Sequence, residues 1–496
     1  MSRTTRHVHL ALGEVSSAPD VVDAVVAQIA AGALGDGDWL PASRALAAQT
    51  GLSRGTIVRA YDELSAAGFI STRAGSGTRV SDGAGQAARA GARAGARTRG
   101  RPEPAAPAAP EPGRARSPRD LRPGIPDATL VDEKAWRRAV RAAAGASLVG
   151  VNPWEEPSAN LRRELRGHLR RHRGLQAADP LLFDSSRSAL AALCAAFCAE
   201  AGGAAEGGDA VAFHHEDPGY RGALLMAREA GLDVQLHPAE AEGLDAARLG
   251  RLRSIVFVTP AHQYPLGHRM SVERRVALVR WARATGSLII EDDYDGEYRY
   301  GVAPLPALAT LPGAEGHVAY VGTSSKSVAP DLRVAWCVAP EYLRRELRRW
   351  LAVHRRGPSA LPAEALAAFI SDGAMNRHLS RAARVYSDRR ARLVAALRAE
   401  LPELAGLGGE AGEGVEIVGV EAGLHLCVLT PGVDDDALVV ALEGDGWRVR
   451  ALSSQSTRFP LSGVILNYSR LPGGGAREFA SAFGAHVRAF AERRGE

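Results

Sequence analysis

Apolar residues recur at helical spacing over residues 19–33, at Val22, Val25, Val26, Ile29 and Ala30. That is the pattern of a helix with one buried face. Gly35-Asp36-Gly37-Asp38 interrupts it. Ser43 stands where an N-cap belongs, and residues 44–50 are expected as a short helix ended by Gly51. Ser53 caps a third helix reaching residue 66, with Ile57, Tyr61 and Leu64 on one face and Gly68 beyond its end. Residues 69–73 and 78–80 are strand candidates around Ala74-Gly75-Ser76-Gly77. After residue 120 apolar strand-like runs alternate with helical ones. Buried strands are expected at 210–213, 254–259, 287–291, 318–322 and 334–338, with helices at 220–230 and 272–285 among them. Further strands near 424–429 and 464–468 fall in a final lobe of roughly residues 375–496.

Three helices followed by a small hairpin, over residues 15–80, make the α+β plan of a winged helix-turn-helix. Strand–helix alternation over residues 121–496 implies an α/β domain, a largely parallel sheet covered on both faces, with a smaller C-terminal lobe. Residues 81–120 are mostly Ala, Gly, Pro and Arg, too poor in large apolar groups to build a core, and are expected as a flexible linker.

The chain has 496 residues, of which 46% are hydrophobic, so sizeable cores are within reach. Its net charge of +5 is unevenly spread. Residues 1–80 hold seven Arg against seven acids, residues 81–120 eight Arg against four, and the rest is close to neutral. Any nucleic-acid site must therefore be local rather than a general basic coat. The linker arginines are either solvated or add nonspecific attraction to DNA phosphate. No apolar run approaches the roughly 20 residues that span a bilayer. Residues 1–15 lack the apolar core of a secretory signal. Four cysteines form no disulfide framework, and Cys194 and Cys198 are expected in the core. A cytoplasmic protein with no membrane partner is expected. His214 and His215 lack the spacing of a metal site, and no metal is expected.

Lys134 and Lys326 are the only lysines among 61 basic residues; the other 59 are arginine. A lysine kept in such a composition draws attention to amine chemistry, which arginine cannot perform. Lys134 lies near Trp136 in an amphipathic helix and is expected on the surface.

The N-terminal motif runs Leu40-Pro41-Ala42-Ser43-Arg44-Ala45-Leu46-Ala47, then Gly51-Leu52-Ser53-Arg54-Gly55-Thr56-Ile57-Val58-Arg59-Ala60-Tyr61. With Asp62-Glu63-Leu64, Gly68-Phe69-Ile70 and Gly75-Ser76-Gly77-Thr78 it resembles the GntR family of bacterial regulators. The resemblance implies that the third helix enters the major groove of double-stranded DNA with Ser53, Arg54 and Thr56 in its first turn. Backbone N–H groups and Arg side chains there favour phosphate, and Arg can also read guanine edges. Arg44 and Arg59 are further contact candidates. Gly75 and Gly77 would let the wing tip approach the minor groove. Tyr61 is expected in the core.

Four blocks follow in order beyond the linker: Glu216-Asp217-Pro218-Gly219-Tyr220, Thr259-Pro260-Ala261-His262-Gln263-Tyr264-Pro265-Leu266-Gly267, Glu291-Asp292-Asp293-Tyr294-Asp295-Gly296-Glu297-Tyr298, and Gly322-Thr323-Ser324-Ser325-Lys326 with Pro330-Asp331-Leu332-Arg333. They resemble the fold-type I pyridoxal-phosphate enzymes of the aspartate aminotransferase class. The joined architecture is that of the MocR subfamily of GntR regulators. The resemblance implies pyridoxal 5'-phosphate (PLP) as cofactor, held on Lys326 as a Schiff base. It implies that Asp292 pairs with the pyridine nitrogen, Tyr294 with the phenolic oxygen, and that Tyr220 stacks on the ring. Thr323, Ser325 and Arg333 match the phosphate-binding group. His262 matches the family motif with a less defined role near the cofactor.

This chain departs from the family at Asp184-Ser185-Ser186-Arg187-Ser188-Ala189-Leu190, where glycine is usual at Ser185. Ser186 and Arg187 at a helix start can still hold phosphate. The substrate-pocket glycine motif is reduced to Asn152-Pro153-Trp154-Glu155-Glu156-Pro157. Arg450, Arg458 and Arg470 all remain open as carboxylate anchors. Sensing of PLP, or of an amine that reacts with it, is therefore expected over turnover, in a homodimer addressing an operator of two half-sites. The alternatives are an active aminotransferase with a vestigial DNA-binding domain and a domain that only dimerises.

Overall fold

The computed structural model describes residues 10, 12–13, 15–73, 77–85, 88, 119–145, 158–176, 179–200, 210–300, 306–400, 414–419 and 422–495. It falls into two compact units, Met1–Arg114 and Ala115–Glu496.

In the first unit helix α1 (Ala18–Ala31) is capped by Ser17, whose hydroxyl accepts from the Asp20 N–H, and ends at Gly32 with φ +78°. Its apolar stripe buries Val21, Val25 and Ile29. Helix α2 (Ser43–Thr50) begins one residue earlier than the spacing predicts. Ala42, not Ser43, is its N-cap: the Ala42 carbonyl already accepts from the Leu46 N–H at 3.0 Å, so Ser43 is helical and caps nothing. Helix α3 (Arg54–Ala66) has Ser53 as its N-cap, accepting from the Thr56 N–H. Strands β1 (Trp39–Leu40), β2 (Ile70–Arg73) and β3 (Gly77–Val80) form an antiparallel sheet in the order β1-β3-β2. Ile57, Ala60, Tyr61 and Leu64 of α3 pack on the α1 stripe. The Tyr61 hydroxyl donates to the Pro41 carbonyl at 2.8 Å. Ala84 and Ala88 join this core, and the Gly83 N–H donates to the Asp36 carboxylate at 2.7 Å. The packed unit thus runs past Val80, into the segment that composition assigns to the linker. Most of that segment lies outside the described residues.

The second unit begins with β4 (Arg119–Asp120), again inside that segment, paired in parallel with β14 (Trp447–Arg448). The main sheet contains β5 (Leu181–Phe183), β6 (Ala212–Asp217), β7 (Asp233–Pro238), β8 (Ile255–Val258), β9 (Leu288–Asp292), β10 (Val318–Thr323) and β11 (Ala335–Val338). Its order is β5-β11-β10-β9-β8-β6-β7, with β11 antiparallel to both its neighbours and β10, β9, β8, β6 and β7 parallel. Phe213, Ile255, Ile290 and Val321 look to one face, under helices Ser186–Glu200 and Glu341–His354. Val256, Val258 and Ile289 look to the other, with helix Val272–Thr285. The β6 strand continues four residues beyond its expected end at Phe213. Its polar run His214-His215-Glu216-Asp217 is buried, and His214 Nδ1 lies 2.9 Å from His237 Nε2 on β7.

The smaller lobe is an antiparallel sheet, β12 (Glu416–Val418), β13 (His425–Leu429), β16 (Gly463–Asn467) and β15 (Arg450–Ala451), in the order β12-β13-β16-β15. Leu426, Val428, Val464 and Leu466 bury one face in the core formed with helices Ala374–Glu400 and Gly475–Gly495. Cys427 and Ile465 turn the other face toward Leu266. Cys194, Cys337 and Cys427 are buried free thiols. No described helix is long and apolar enough to cross a membrane.

Candidate functional site

In the first unit the N-terminal turn of α3 is fixed by two hydroxyls. Ser53 Oγ accepts from the Thr56 N–H at 3.1 Å and lies 2.8 Å from Thr56 Oγ1. The buried side of the helix is Ile57, Ala60, Tyr61 and Leu64, which leaves Arg54, Val58 and Arg59 in solvent. Arg44, in the first turn of α2, is also exposed. None of these three arginines forms an ion pair with a described residue. Gly77 has φ +99°, and a Cβ there would come within 3.0 Å of the Trp39 ring, so both conformation and space require glycine. Gly75 lies outside the described residues.

In the second unit the parallel strands deliver polar residues to their carboxyl ends, where open α/β sheets bind ligands. Asp292 ends β9, Thr323 ends β10, and Lys326 follows three residues later. Lys326 is half-buried and its Nζ donates to the Gly124 carbonyl at 2.8 Å. Burial lowers its affinity for a proton, while the Asp292 and Asp295 charges work the other way. Asp292 is pushed up to about 7 by burial and by the Asp293 charge, with Lys326 opposing. Asp292 Oδ1 is buried without a hydrogen-bond partner. A buried carboxylate oxygen left so is costly and calls for a donor.

Around this pair stands a ring of aromatic and imidazole groups. His262 Nδ1 donates to Asp295 Oδ2 at 3.0 Å, and the Tyr294 hydroxyl donates to the His262 carbonyl at 3.0 Å. The His425 ring centroid lies 4.8 Å from that of His262, and His425 is pushed down to about 3 by burial and the neighbouring imidazole. Tyr264 meets Tyr220, Tyr294 and His425 edge-on, at centroid distances of 6.2, 6.1 and 5.4 Å. Gly423, φ +72°, seals the back of the site. A Cβ there would come within 2.3 Å of both Asp295 Oδ2 and His262 Nδ1. Its carbonyl accepts from the Tyr300 and Tyr468 hydroxyls, each at 2.7 Å.

The expected phosphate group gathers at a second corner. Thr323 Oγ1 donates to Ser325 Oγ at 3.0 Å, and Arg333 Nη2 donates to Asp184 Oδ2 at 3.2 Å. Asp184 stands two residues before helix Ser186–Glu200, whose first turn carries Ser186 and Arg187. The departure at Ser185 has a local account: its hydroxyl accepts from the Ser188 N–H at 3.2 Å, as an N-cap does. Residues 152–157 lie outside the described residues.

Behind Asp292 a charge cluster supports the strand end. Buried Arg173 pairs with Asp293 at 2.5 Å, and Tyr320 donates to the same carboxylate at 2.8 Å. Asp217, at the end of β6, accepts from the backbone N–H groups of Thr457, Arg458 and Phe459. It ties the 457–459 loop to the rim carrying Tyr220.

Residue reasoning missed Gly124, Tyr264, Asp295, Gly423 and His425 as parts of this site. Tyr264 and Asp295 stood inside quoted blocks, but no spacing argument singles them out. Gly124 and His425 reach Lys326 and His262 only through the fold of the smaller lobe.

The profile of "Bacterial regulatory proteins, gntR family" matches residues 18–80, and that of "Aminotransferase class I and II" matches residues 156–447. The HTH-type pyridoxine biosynthesis transcriptional regulator PdxR of Corynebacterium glutamicum is 31% identical over 427 residues, covering 86% of this chain and 85% of the relative. The probable rhizopine catabolism regulatory protein MocR of Rhizobium meliloti is 31% identical over 461 residues, covering 89% and 88%. Among solved structures, a multiple substrate aminotransferase from Thermococcus profundus superposes with a TM-score of 0.65 at 20% identity, over 77% of this chain and 93% of that one. The structure and these likenesses define a winged helix-turn-helix joined to a fold-type I aminotransferase-like domain. The chain belongs to the MocR type of gntR-family transcription regulators.

Proposed function

We propose that this chain binds double-stranded DNA through α3 and the wing, and holds PLP at Lys326 as the means of sensing either the cofactor or an amine that reacts with it. The observation that carries the reading is the half-buried Lys326 near an Asp292 oxygen with no partner. A protonated pyridine nitrogen is the donor such an oxygen lacks, so the residues present fit the cofactor. When bound, PLP supplies an aldehyde with which a primary amine condenses. Lys326, whose affinity for a proton is lowered by burial, would supply that amine. Asp292 would hold the ring nitrogen, Tyr220 would cover the ring, and Tyr294 and His262 would bound its phenolic side. Thr323, Ser325, Arg333, Ser186 and Arg187 would hold the phosphate, which requires Arg333 to exchange Asp184 for it.

The C. glutamicum relative carries pyridoxine biosynthesis in its name, in keeping with a B6 compound as the signal. The chain is read as a cytoplasmic homodimer, its two winged units addressing two half-sites. Regulation then requires that the ligand bind DNA-competent and DNA-incompetent forms with different affinity. The reading is tested on purified protein mixed with PLP. A visible absorbance band should appear, borohydride should fix the cofactor to the peptide containing Lys326, and Lys326→Ala should abolish both. An identical band in Lys326→Ala contradicts the assignment. Rapid multiple-turnover transamination with DNA binding indifferent to PLP would favour the aminotransferase alternative.

A further inference from the structure

The corner assigned to the cofactor phosphate holds a carboxylate of the chain's own. Pairing of β5 with β11 sets Phe183 opposite Ala335, which brings Asp184, next after β5, to the end of β11 where Arg333 lies. The Asp184 N–H donates to the Arg356 carbonyl at 2.7 Å, so a second arginine reaches the same place. Asp184 Oδ2 accepts from Arg333 Nη2 at 3.2 Å and from Arg356 Nη1 at 3.4 Å. Its Oδ1 accepts from the Ser185 hydroxyl at 3.1 Å and from the Ser188 hydroxyl in the first turn of helix Ser186–Glu200. Burial raises the proton affinity of this carboxyl, but hydrogen bonds from Ser188, Ser185 and Arg333 outweigh it and hold the group below the ordinary carboxylate range. It is therefore charged at neutral pH. The partners differ in freedom. The Asp184 side chain is 14% exposed, those of Arg333 and Arg356 63% and 55%. Exposed ion pairs are weakly held, so the two guanidinium groups can leave the carboxylate. The carboxylate, fixed by hydroxyls of its own segment, stays.

We propose that Asp184 competes with the cofactor phosphate for Arg333 and Arg356, and so weakens the hold of this chain on the phosphorylated form of its ligand. The proposal rests on the PLP reading above; it adds Arg356 to the phosphate-binding residues and gives Asp184 a role opposed to theirs. Phosphate is best met by guanidinium forks. Here both forks already serve an anion, so binding exchanges one anion for another instead of adding a contact. The arriving phosphate, with a charge of roughly −1.5 to −2, then lies near a carboxylate left with its hydroxyl donors alone, and like charges repel. A sensor has to gain and lose its ligand as the concentration changes, whereas an enzyme profits from a cofactor that never leaves. A carboxylate in the phosphate corner moves this chain toward the first behaviour.

The test titrates full-length protein with PLP and, separately, with pyridoxal, which lacks the phosphate, and follows the Lys326-dependent absorbance band. Asp184→Asn keeps the shape of the side chain and removes its charge. It should bind PLP about tenfold more tightly than wild type and pyridoxal within about twofold of it. Arg356→Gln alters an exposed side chain, so it carries the test even where Asp184→Asn does not fold. It should bind PLP about fivefold more weakly, again with little change for pyridoxal. An unchanged or reduced PLP affinity in folded Asp184→Asn, an equal gain for pyridoxal, or an unaltered PLP affinity in Arg356→Gln would overturn the proposal with the PLP reading intact. A wild type with no Lys326-dependent band overturns both.

Discussion

The two units use arginine in opposite ways. On α2 and α3, Arg44, Arg54 and Arg59 stand in solvent without an acidic partner among the described residues. In the second unit Arg173 is buried against Asp293, and Arg275 donates to three carbonyls, those of Met270, Pro306 and Pro260. Unpaired, solvated guanidinium groups on a helix cost little to hold and are available to phosphate or guanine. Buried ones are already spent on holding strand ends and loops in place. A charge count cannot tell these uses apart; exposure and partner can.

The sharpest break in this contrast is at the Lys326 amine of the second unit, half-buried against the Gly124 carbonyl. Lys326→Ala should remove PLP attachment outright, read as loss of the visible band, while leaving the fold of the first unit and its nonspecific DNA affinity in place. Next comes Gly423→Ala. Its φ of +72° and the 2.3 Å approach to Asp295 and His262 make any side chain there both strained and overpacked. The expected cost is about 3 kcal/mol in a denaturant titration, accompanied by weaker PLP binding. Full stability in that variant would show that the pocket wall yields.

On the exposed side, Arg54→Ala should cost about 1–3 kcal/mol of DNA affinity if it reads a base. Arg44→Ala and Arg59→Ala should mainly flatten the dependence of affinity on salt. Mobility shifts unaffected by all three substitutions would place the recognition surface elsewhere.

A smaller effect concerns pH. Burial pushes Glu216 up to about 8, so the folded chain keeps a proton there that the unfolded chain releases near the ordinary carboxylate range. The folded state then binds more protons, and its stability falls as pH rises from that range through 8. Glu216→Gln should remove from the slope one group's share, about 1.4 kcal/mol per pH unit. Parallel pH profiles for the two proteins would refute a protonated Glu216.

How far each region was legible follows from the same contrast. The contact candidates of the first unit lie within residues 44–77, on helices whose buried stripe is set by local periodicity, so the solvent face follows by subtraction. The start of α2 shifted by one residue to put Ala42 at the N-cap, and strand β1 and the extension of the core to Ala88 were not expected. In the second unit five of the seven main-sheet strands and the Lys326 and Asp292 blocks were legible, each a short apolar run with a polar end, while β5 and β7 were not expected. The groups completing the site were not. Gly124, Gly423 and His425 are brought in by sheet pairing across hundreds of residues, and β6 ran on through a polar stretch in which His214, His215 and Asp217 found partners in tertiary structure.

The central claim is that cofactor chemistry in one unit governs DNA binding by the other. Its direct test is the affinity of the full-length protein for a DNA fragment selected by that protein from a random pool, measured with and without saturating PLP, for wild type and Lys326→Ala. The account predicts an affinity that changes with PLP in wild type and not in the variant. Equal affinities in wild type with and without the cofactor, its visible band being present, would contradict it.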